Sequence, residues 1–212
     1  AARDRPSLQR AAADIRALTQ NLLAQGAAAE PLTRTIAALN DALSRQVIEM
    51  VLGRHALPDS DWCWLALGSE GRGEQTFATD QDNALVFVPH DPAAVEQERG
   101  RLIAFARDVN AELDAIGFPL CKGGVMAMNP RWCLSLDEWR AAFWQWIDRG
   151  EPKSLLASAT FLVFVVCGPG LLAKQVFGML VPVEELAKNR RRLLREIKKA
   201  EGQKQSRKGG SR

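Results

Sequence analysis

The chain has 212 residues, 47% hydrophobic and 25% charged, with a net charge of +3, enough to bury roughly two-thirds of its unfolded surface. Those values exclude general disorder, a disulfide-stapled miniprotein and a fibrous repeat. The charge is uneven: residues 188–212 hold eleven Lys/Arg against Glu196 and Glu201, or +9, which leaves −6 on residues 1–187.

The opening Ala1-Ala2-Arg3-Asp4-Arg5 lacks the apolar core of a signal peptide. Leu8, Ala11, Ala12, Ile15, Leu18 and Leu22 recur three and four apart, which predicts an amphipathic helix stopped at Gly26. Pro31 suits the first turn of a second helix, with a stripe of Leu32, Ile36, Leu39, Leu43, Val47 and Val51 ended by Gly53. This pair, residues 1–56, needs an apolar partner surface. The rest of the chain is one candidate, and a second copy, making a homodimer through these helices, is the other.

From Trp62 the period changes. Trp62–Leu67 and Ala84–Val88 are short apolar runs that read as buried strands. Asp91-Pro92 opens a helix in which Val95, Leu102, Ile103, Ala106, Val109 and Leu113 recur, closing at Gly117. Phe118–Cys121 is expected as a third strand, and Met126 and Met128 as alternating packing residues of a further strand. Ser135 and Glu138 have capping-box spacing, so the Trp139, Phe143 and Ile147 stripe should be a helix from Leu136.

Leu155–Ala173 carries no charge, but Gly168-Pro169-Gly170 leaves an apolar run only to Cys167. That is short for a membrane span of about 20 residues and reads as core. Helical character then returns through about Lys199. The divisions expected are a helical pair (1–56), an α/β core (57–152), a shortened helical region (153–187) and a basic tail (188–212). The order describes an α/β (α+β) fold, a small mixed sheet flanked by N-terminal and C-terminal helices.

Cys63, Cys121, Cys133 and Cys167 form no C-x-x-C pair, and only His55 and His90 accompany them, which argues against zinc. Buried free thiols in a reducing cytoplasm are the expectation. The tail has three readings: a solvated helix end fraying after Gly202, a nucleic-acid or acidic-partner contact, and a membrane-surface face. No aromatic residue lies in 188–212, so any nucleic-acid contact would be with phosphates and salt-sensitive. The solvated end ranks first, and the small Leu193, Leu194 and Ile197 face puts the membrane last. Trp132, Trp139, Trp144 and Trp146 favour core or interface over base stacking.

The informative segment joins the two predicted strands: GSEGRGEQTFATDQDNALVF, residues 68–87. Gly68-Ser69 directly follows a strand, and glycine lets backbone approach a ligand; exposed N–H groups and the Ser69 hydroxyl suit a phosphate. Asp80 and Asp82 are two apart at a strand entry, so both carboxylates project from one face. Such a pair invites a divalent cation with oxygen ligands, Mg²⁺ or Mn²⁺. Arg72 could meet phosphate oxygens in bidentate fashion, and Lys122 could face a phosphate across the cleft. Taken singly, each feature also fits a polar loop.

In this order the residues resemble the nucleotidyltransferases of the polymerase-β type, with Gly-Gly/Ser after an apolar strand, about ten residues, then Asp-x-Asp/Glu. More closely, the segment is similar to the nucleotidyltransferase domain that bacteria attach to CBS or cyclic-nucleotide-binding modules, a relative of the PII-protein uridylyltransferases. Leu32-Thr33-Arg34 and Leu39-Asn40-Asp41 resemble its leading helix; Cys121–Trp132 and Leu136–Ile147 resemble a later block. The resemblance implies transfer of a nucleoside monophosphate from an NTP to an acceptor, a regulatory protein in the related uridylyltransferases. Gly68 and Ser69 would hold the triphosphate, and Asp80 and Asp82 the metal. Relatives carry an Asp and an Arg shortly after the later helix, where Phe161–Gly168 here reads FLVFVVCG. The alternative is therefore a catalytically impaired nucleotide-sensing or protein-interaction module that keeps the fold.

Overall fold

The computed structural model describes residues 4–57, 60–71, 80–149 and 164–167, all within the first of two units into which the chain divides, Ala1–Ala173. Nine elements follow in order: α1 (Arg5–Ala24), α2 (Ala29–Leu52), β1 (Asp61–Ala66), the short turn α3 (Gly68–Gly71), β2 (Asn83–Val88), α4 (Val95–Ile116), β3 (Cys133–Ser135), α5 (Leu136–Arg149) and β4 (Phe164–Cys167). The strands form one mixed sheet in the order β3-β2-β1-β4. β1 runs antiparallel to β2 and to β4, and β3 lies parallel to β2. This is the expected α+β arrangement.

Local chemistry sets the helix ends. The Asp4 carboxylate accepts the Ser7 N–H at 2.8 Å and starts α1, satisfying one of the donors a helix start leaves open. Gly26, at φ +79°, turns the chain out of it. Asp91 accepts from the Ala93 N–H to open a 3₁₀ turn leading into α4, and Gly117, at φ +105°, closes α4. At α5 the expected capping box is present: Glu138 accepts from the Ser135 N–H and hydroxyl at 2.7 and 2.8 Å.

One face of the sheet carries the helices. Trp62 and Trp64 of β1 and Leu85 and Phe87 of β2 share a face and pack with Leu43, Val47 and Val51 of α2 and with Phe105 and Val109 of α4. Phe105 meets both tryptophans edge to face, at centroid distances of 5.4 and 6.4 Å. Burial of each such side chain stabilises by about 1.5–3 kcal/mol. α1 packs on α2, and both pack on α4, so the partner surface for the helical pair is this chain. The α1 stripe departs from expectation at Leu18, which is 46% exposed, whereas Thr19 is buried. At 100° per residue Leu8, Ala12, Ile15, Thr19 and Leu22 share one line from which Leu18 is rotated away. The Thr19 hydroxyl is satisfied locally by donating to the Ile15 carbonyl.

Two charged locks tie helices together. The buried Glu112 carboxylate of α4 accepts from Arg5 of α1 at 2.6 Å and from Arg54, beyond α2, at 3.0 Å. Buried Arg99 of α4 donates to Glu138 of α5 and to the Cys133 carbonyl of β3 and lies 5.5 Å from the Phe87 ring.

Phe118–Cys121 is not a strand. It is irregular chain touching the β2 entry through one backbone bond, Gln81 N–H to Pro119 O, and the chain beyond it adds a second, Asn83 N–H to Val125 O. Pro119 has no N–H with which to extend a ladder. Met126 and Met128 likewise lie in turns rather than a strand; the third strand is Cys133–Ser135. Phe164–Cys167, within the apolar run tested as a membrane span, is a strand of the sheet. Among the described residues no helix is long and apolar enough to cross a membrane. The rest of that run, the stretch after it expected to be helical and the basic tail lie outside the described residues.

The cysteines differ from one another. Cys121 and Cys133 are free, whereas Cys63, expected as a free thiol, is disulfide-bonded; the β1–β4 register sets it opposite Cys167. Sequence spacing gave no sign of this, because β4 returns beside β1 from a hundred residues away. Burial pushes the Cys133 thiol up to about 12.

Candidate functional site

The site lies where β1 ends and β2 begins. The Leu67 N–H donates to the Asp82 carbonyl at 2.8 Å, carrying the antiparallel pairing one step past Ala66–Asn83. Gly68 then leaves the strand at φ +58°, in the left-handed region that glycine alone occupies freely. A Cβ at Gly68 would collide with Oδ2 of Asp82 and stand 3.3 Å from its Cγ. The missing side chain is what lets the Asp82 carboxylate lie against the backbone here.

Residues 80 to 83 read exposed, buried, half-buried, buried. Gln81 and Asn83 point into the protein and Asp80 and Asp82 away from it, as a period of two requires. The inward amides are held by α4. Asn110 Nδ2 donates to Gln81 Oε1 at 2.7 Å and to Asn83 Oδ1 at 3.0 Å, and Gln81 Nε2 donates to the carbonyls of Asn110 and Phe118.

The chain from Phe118 to Met128 forms the opposite wall. Cys121 and Gly124 close a turn through Gly124 N–H to Cys121 O, 3.0 Å, and Lys122 is exposed on it. The Cys121 thiol is hydrogen-bonded to Asp82; burial chiefly, and this carboxylate in addition, raise the thiol above its ordinary value, while N–H groups of Val125 and Gly123 work the other way.

The structure thus puts Gly68 and Asp82 in contact, with Ser69 half-buried next to Gly68, Asp80 exposed two residues from Asp82, and Lys122 beside the thiol that touches Asp82. Arg72 lies outside the described residues. Among the described residues no group of three or more His, Cys, Asp or Glu stands close enough to hold a metal.

Two parts of the wall were not legible as such in the sequence. Cys121 read as a structural thiol, though it immediately precedes Lys122 in a block already singled out. Gln81, Asn83 and Asn110 carry no motif, and nothing in their spacing joins position 110 to 81 and 83. The tryptophans follow the core reading at Trp139, which is fully buried and donates through Nε1 to the Leu85 carbonyl at 2.9 Å. Trp144 is 41% exposed.

Residues 13–153 match the family model described as "Putative nucleotidyltransferase DUF294", a span that contains α2, the whole Gly68–Asp82 connection, the Cys121 turn and α5. The chain belongs to this family. Its DUF294 domain therefore has a nucleotidyltransferase-like role and the α+β fold described above. Neither the curated proteins nor the solved structures yield a match to this DUF294 chain.

Proposed function

We propose that the domain transfers a nucleoside monophosphate from an NTP to an acceptor, with Asp80 and Asp82 holding a divalent cation. One observation carries the reading: the left-handed Gly68 backs directly onto the Asp82 carboxylate, with no room for a Cβ between them. A catalytic turn that must bring triphosphate and metal-bound carboxylate together needs such an approach of backbone to acid.

The donor chemistry fits Mg²⁺ or Mn²⁺. Both candidate side chains offer hard oxygen ligands, and such ions complete their shell with water and substrate phosphates. When bound, the cation would neutralise charge on the transferring phosphoryl group and orient the triphosphate. Gly68 and Ser69 receive the triphosphate through backbone N–H and hydroxyl donors, and Arg72 and exposed Lys122 add positive charge. The acceptor hydroxyl oxygen bonds to the α-phosphorus as the bond to the bridging oxygen breaks; pyrophosphate leaves and the hydroxyl proton passes to solvent. By the uridylyltransferase resemblance the acceptor is a regulatory protein.

A second reading, nucleotide sensing without turnover, is favoured by β4. Beside β1 it supplies Phe164-Val165-Val166-Cys167, with no carboxylate. Incubation with α-labelled NTPs and Mg²⁺ or Mn²⁺, before and after Asp80→Asn and Asp82→Asn, decides between them. Pyrophosphate release lost in both variants supports transfer. Metal-dependent nucleotide binding without release supports sensing, and neither binding nor release sinks both.

A further inference from the structure

Asp82 is presented from between two residues whose side chains run the other way, and both end on one amide. Asn110 is completely buried in the middle of α4. Its Nδ2 spends both hydrogens on Gln81 Oε1 and Asn83 Oδ1, at 2.7 and 3.0 Å. Its Oδ1 accepts the Met128 N–H at 3.3 Å, and its backbone carbonyl accepts from Gln81 Nε2 at 3.0 Å.

The same partners reach the opposite wall. Gln81 Nε2 also donates to the Phe118 carbonyl at 2.7 Å, and Asn83 Oδ1 also accepts the Ala127 N–H at 2.8 Å. The backbones of Gln81 and Asn83 bond Pro119 O and Val125 O. The stretch that carries Cys121 and Lys122 is therefore fastened at Phe118, Pro119, Val125 and Ala127 to the two residues that bracket Asp82, and at Met128 to Asn110 itself. A buried polar network with every member paired is stiff, because any displacement leaves an amide unpaired in a medium of low dielectric.

We infer that Asn110 is a positioning residue for the metal site: through Gln81 and Asn83 it fixes the direction of the Asp82 carboxylate and its distance from the Cys121–Lys122 turn. The inference rests on Asp82 being a metal ligand, but the brace itself is a property of α4 and this loop. Asn110 touches neither cation nor substrate and acts only through its neighbours. An apolar residue of similar size would fill the same space; it would not hold the strand entry and the loop in one register.

The test uses Asn110→Leu, Gln81→Met and the double variant, each studied well below its unfolding temperature. Two readouts are taken: Mn²⁺ affinity from the electron paramagnetic resonance signal of free Mn²⁺, and the rate at which Cys121 reacts with a disulfide reagent, assigned by peptide mapping. Wild type is expected to bind Mn²⁺ and lose it in Asp82→Asn. Each single variant should bind about tenfold or more weakly, the loss typical when the support of a metal ligand is removed. Cys121 should react about tenfold faster, because the loop has lost bonds that keep it closed.

The double variant separates positioning from structure, since replacing both partners of a hydrogen bond by apolar groups can restore stability. Positioning predicts that it costs less unfolding temperature than the two single variants added together, but regains no Mn²⁺ affinity. Return of affinity together with stability overturns the proposal. Should wild type bind no Mn²⁺, the metal reading fails, and the thiol decides the brace: an unchanged Cys121 rate in the single variants refutes it and an accelerated one upholds it. If Asn110→Leu does not fold, Gln81→Met carries the same comparison.

Discussion

Gly68→Ala tests the close approach at the centre of the site, and Gly26→Ala provides its control. Both glycines have positive φ, +58° and +79°, so an added Cβ meets left-handed strain of about 1–2 kcal/mol in each. Loss of chain freedom in the unfolded state returns about 0.4–1 kcal/mol, leaving a cost of roughly 1 kcal/mol at a site with free space. Gly26 is such a site, with nothing within 4 Å of the new Cβ. At Gly68 the Cβ runs into Asp82 Oδ2, and the carboxylate must rotate away. That sacrifices its bond from the Cys121 thiol, about 1 kcal/mol, and pushes the side chain from its preferred rotamer, about 0.5–1.5 kcal/mol. Gly68→Ala should therefore cost about 2.5–3.5 kcal/mol, some 1.5–2.5 more than Gly26→Ala by the same terms. Urea midpoints at a common slope measure the difference. Equal losses in the two variants would show that Asp82 moves aside freely, and the argument for a shaped contact would fail. Mn²⁺ titration of the same proteins adds a second arm, in which Gly26→Ala retains whatever wild type binds and Gly68→Ala does not.

Glu112→Gln should lower stability by about 1–2 kcal/mol at pH 7, reduced from the value for a fully buried pair because both arginines are half exposed. Hydrogen bonds from Arg5, opposed by burial and aided by Arg54, hold this carboxyl below its ordinary range. Its contribution is therefore complete above the unfolded value of about 4.3 and lost as pH falls through the lower folded value. Urea midpoints of wild type and variant should differ at pH 7 and converge toward pH 3; a gap independent of pH would refute the ionic account. Arg99→Lys should cost about 1–3 kcal/mol despite keeping the charge, because an ammonium cannot serve Glu138 and the Cys133 carbonyl together as the guanidinium fork does. A neutral result in chemical unfolding would show that the charge alone matters. Trp139→Phe removes the Nε1 bond to the Leu85 carbonyl and should cost about 1–3 kcal/mol. At about 2–4 °C per kcal/mol, differential scanning calorimetry should read that loss clearly, and an unshifted transition would contradict it.

Much of the fold was legible because its signals are local. Helical spacing at α2 and α4, the Gly26 and Gly117 stops, the Ser135–Glu138 capping box and the two apolar strands each depend on residues within a turn or two of one another. The misreadings share the opposite cause. Phe118–Cys121 has the composition of a strand, but Pro119 withholds a donor and the chain is drawn into single bonds with the β2 entry. Leu18 fits a three-and-four count, yet Thr19 lies nearer the line that meets α2 and α4 and is buried in its place.

The sequence alone determined the four long helices, the two strands that flank the site, the Gly68-Ser69 turn and the alternation that turns Asp80 and Asp82 to one side, since backbone geometry imposes a period of two wherever a chain is extended. Only the tertiary structure decided what that side faces. It set Gly68 against Asp82, brought the Cys121 thiol onto the carboxylate and joined Asn110 to Gln81 and Asn83 across 27 and more residues. Those contacts follow from the packing of α4 and the Phe118–Met128 chain on the sheet. Packing is a sum of many weak, distant preferences, and none of them leaves a periodic mark in the sequence.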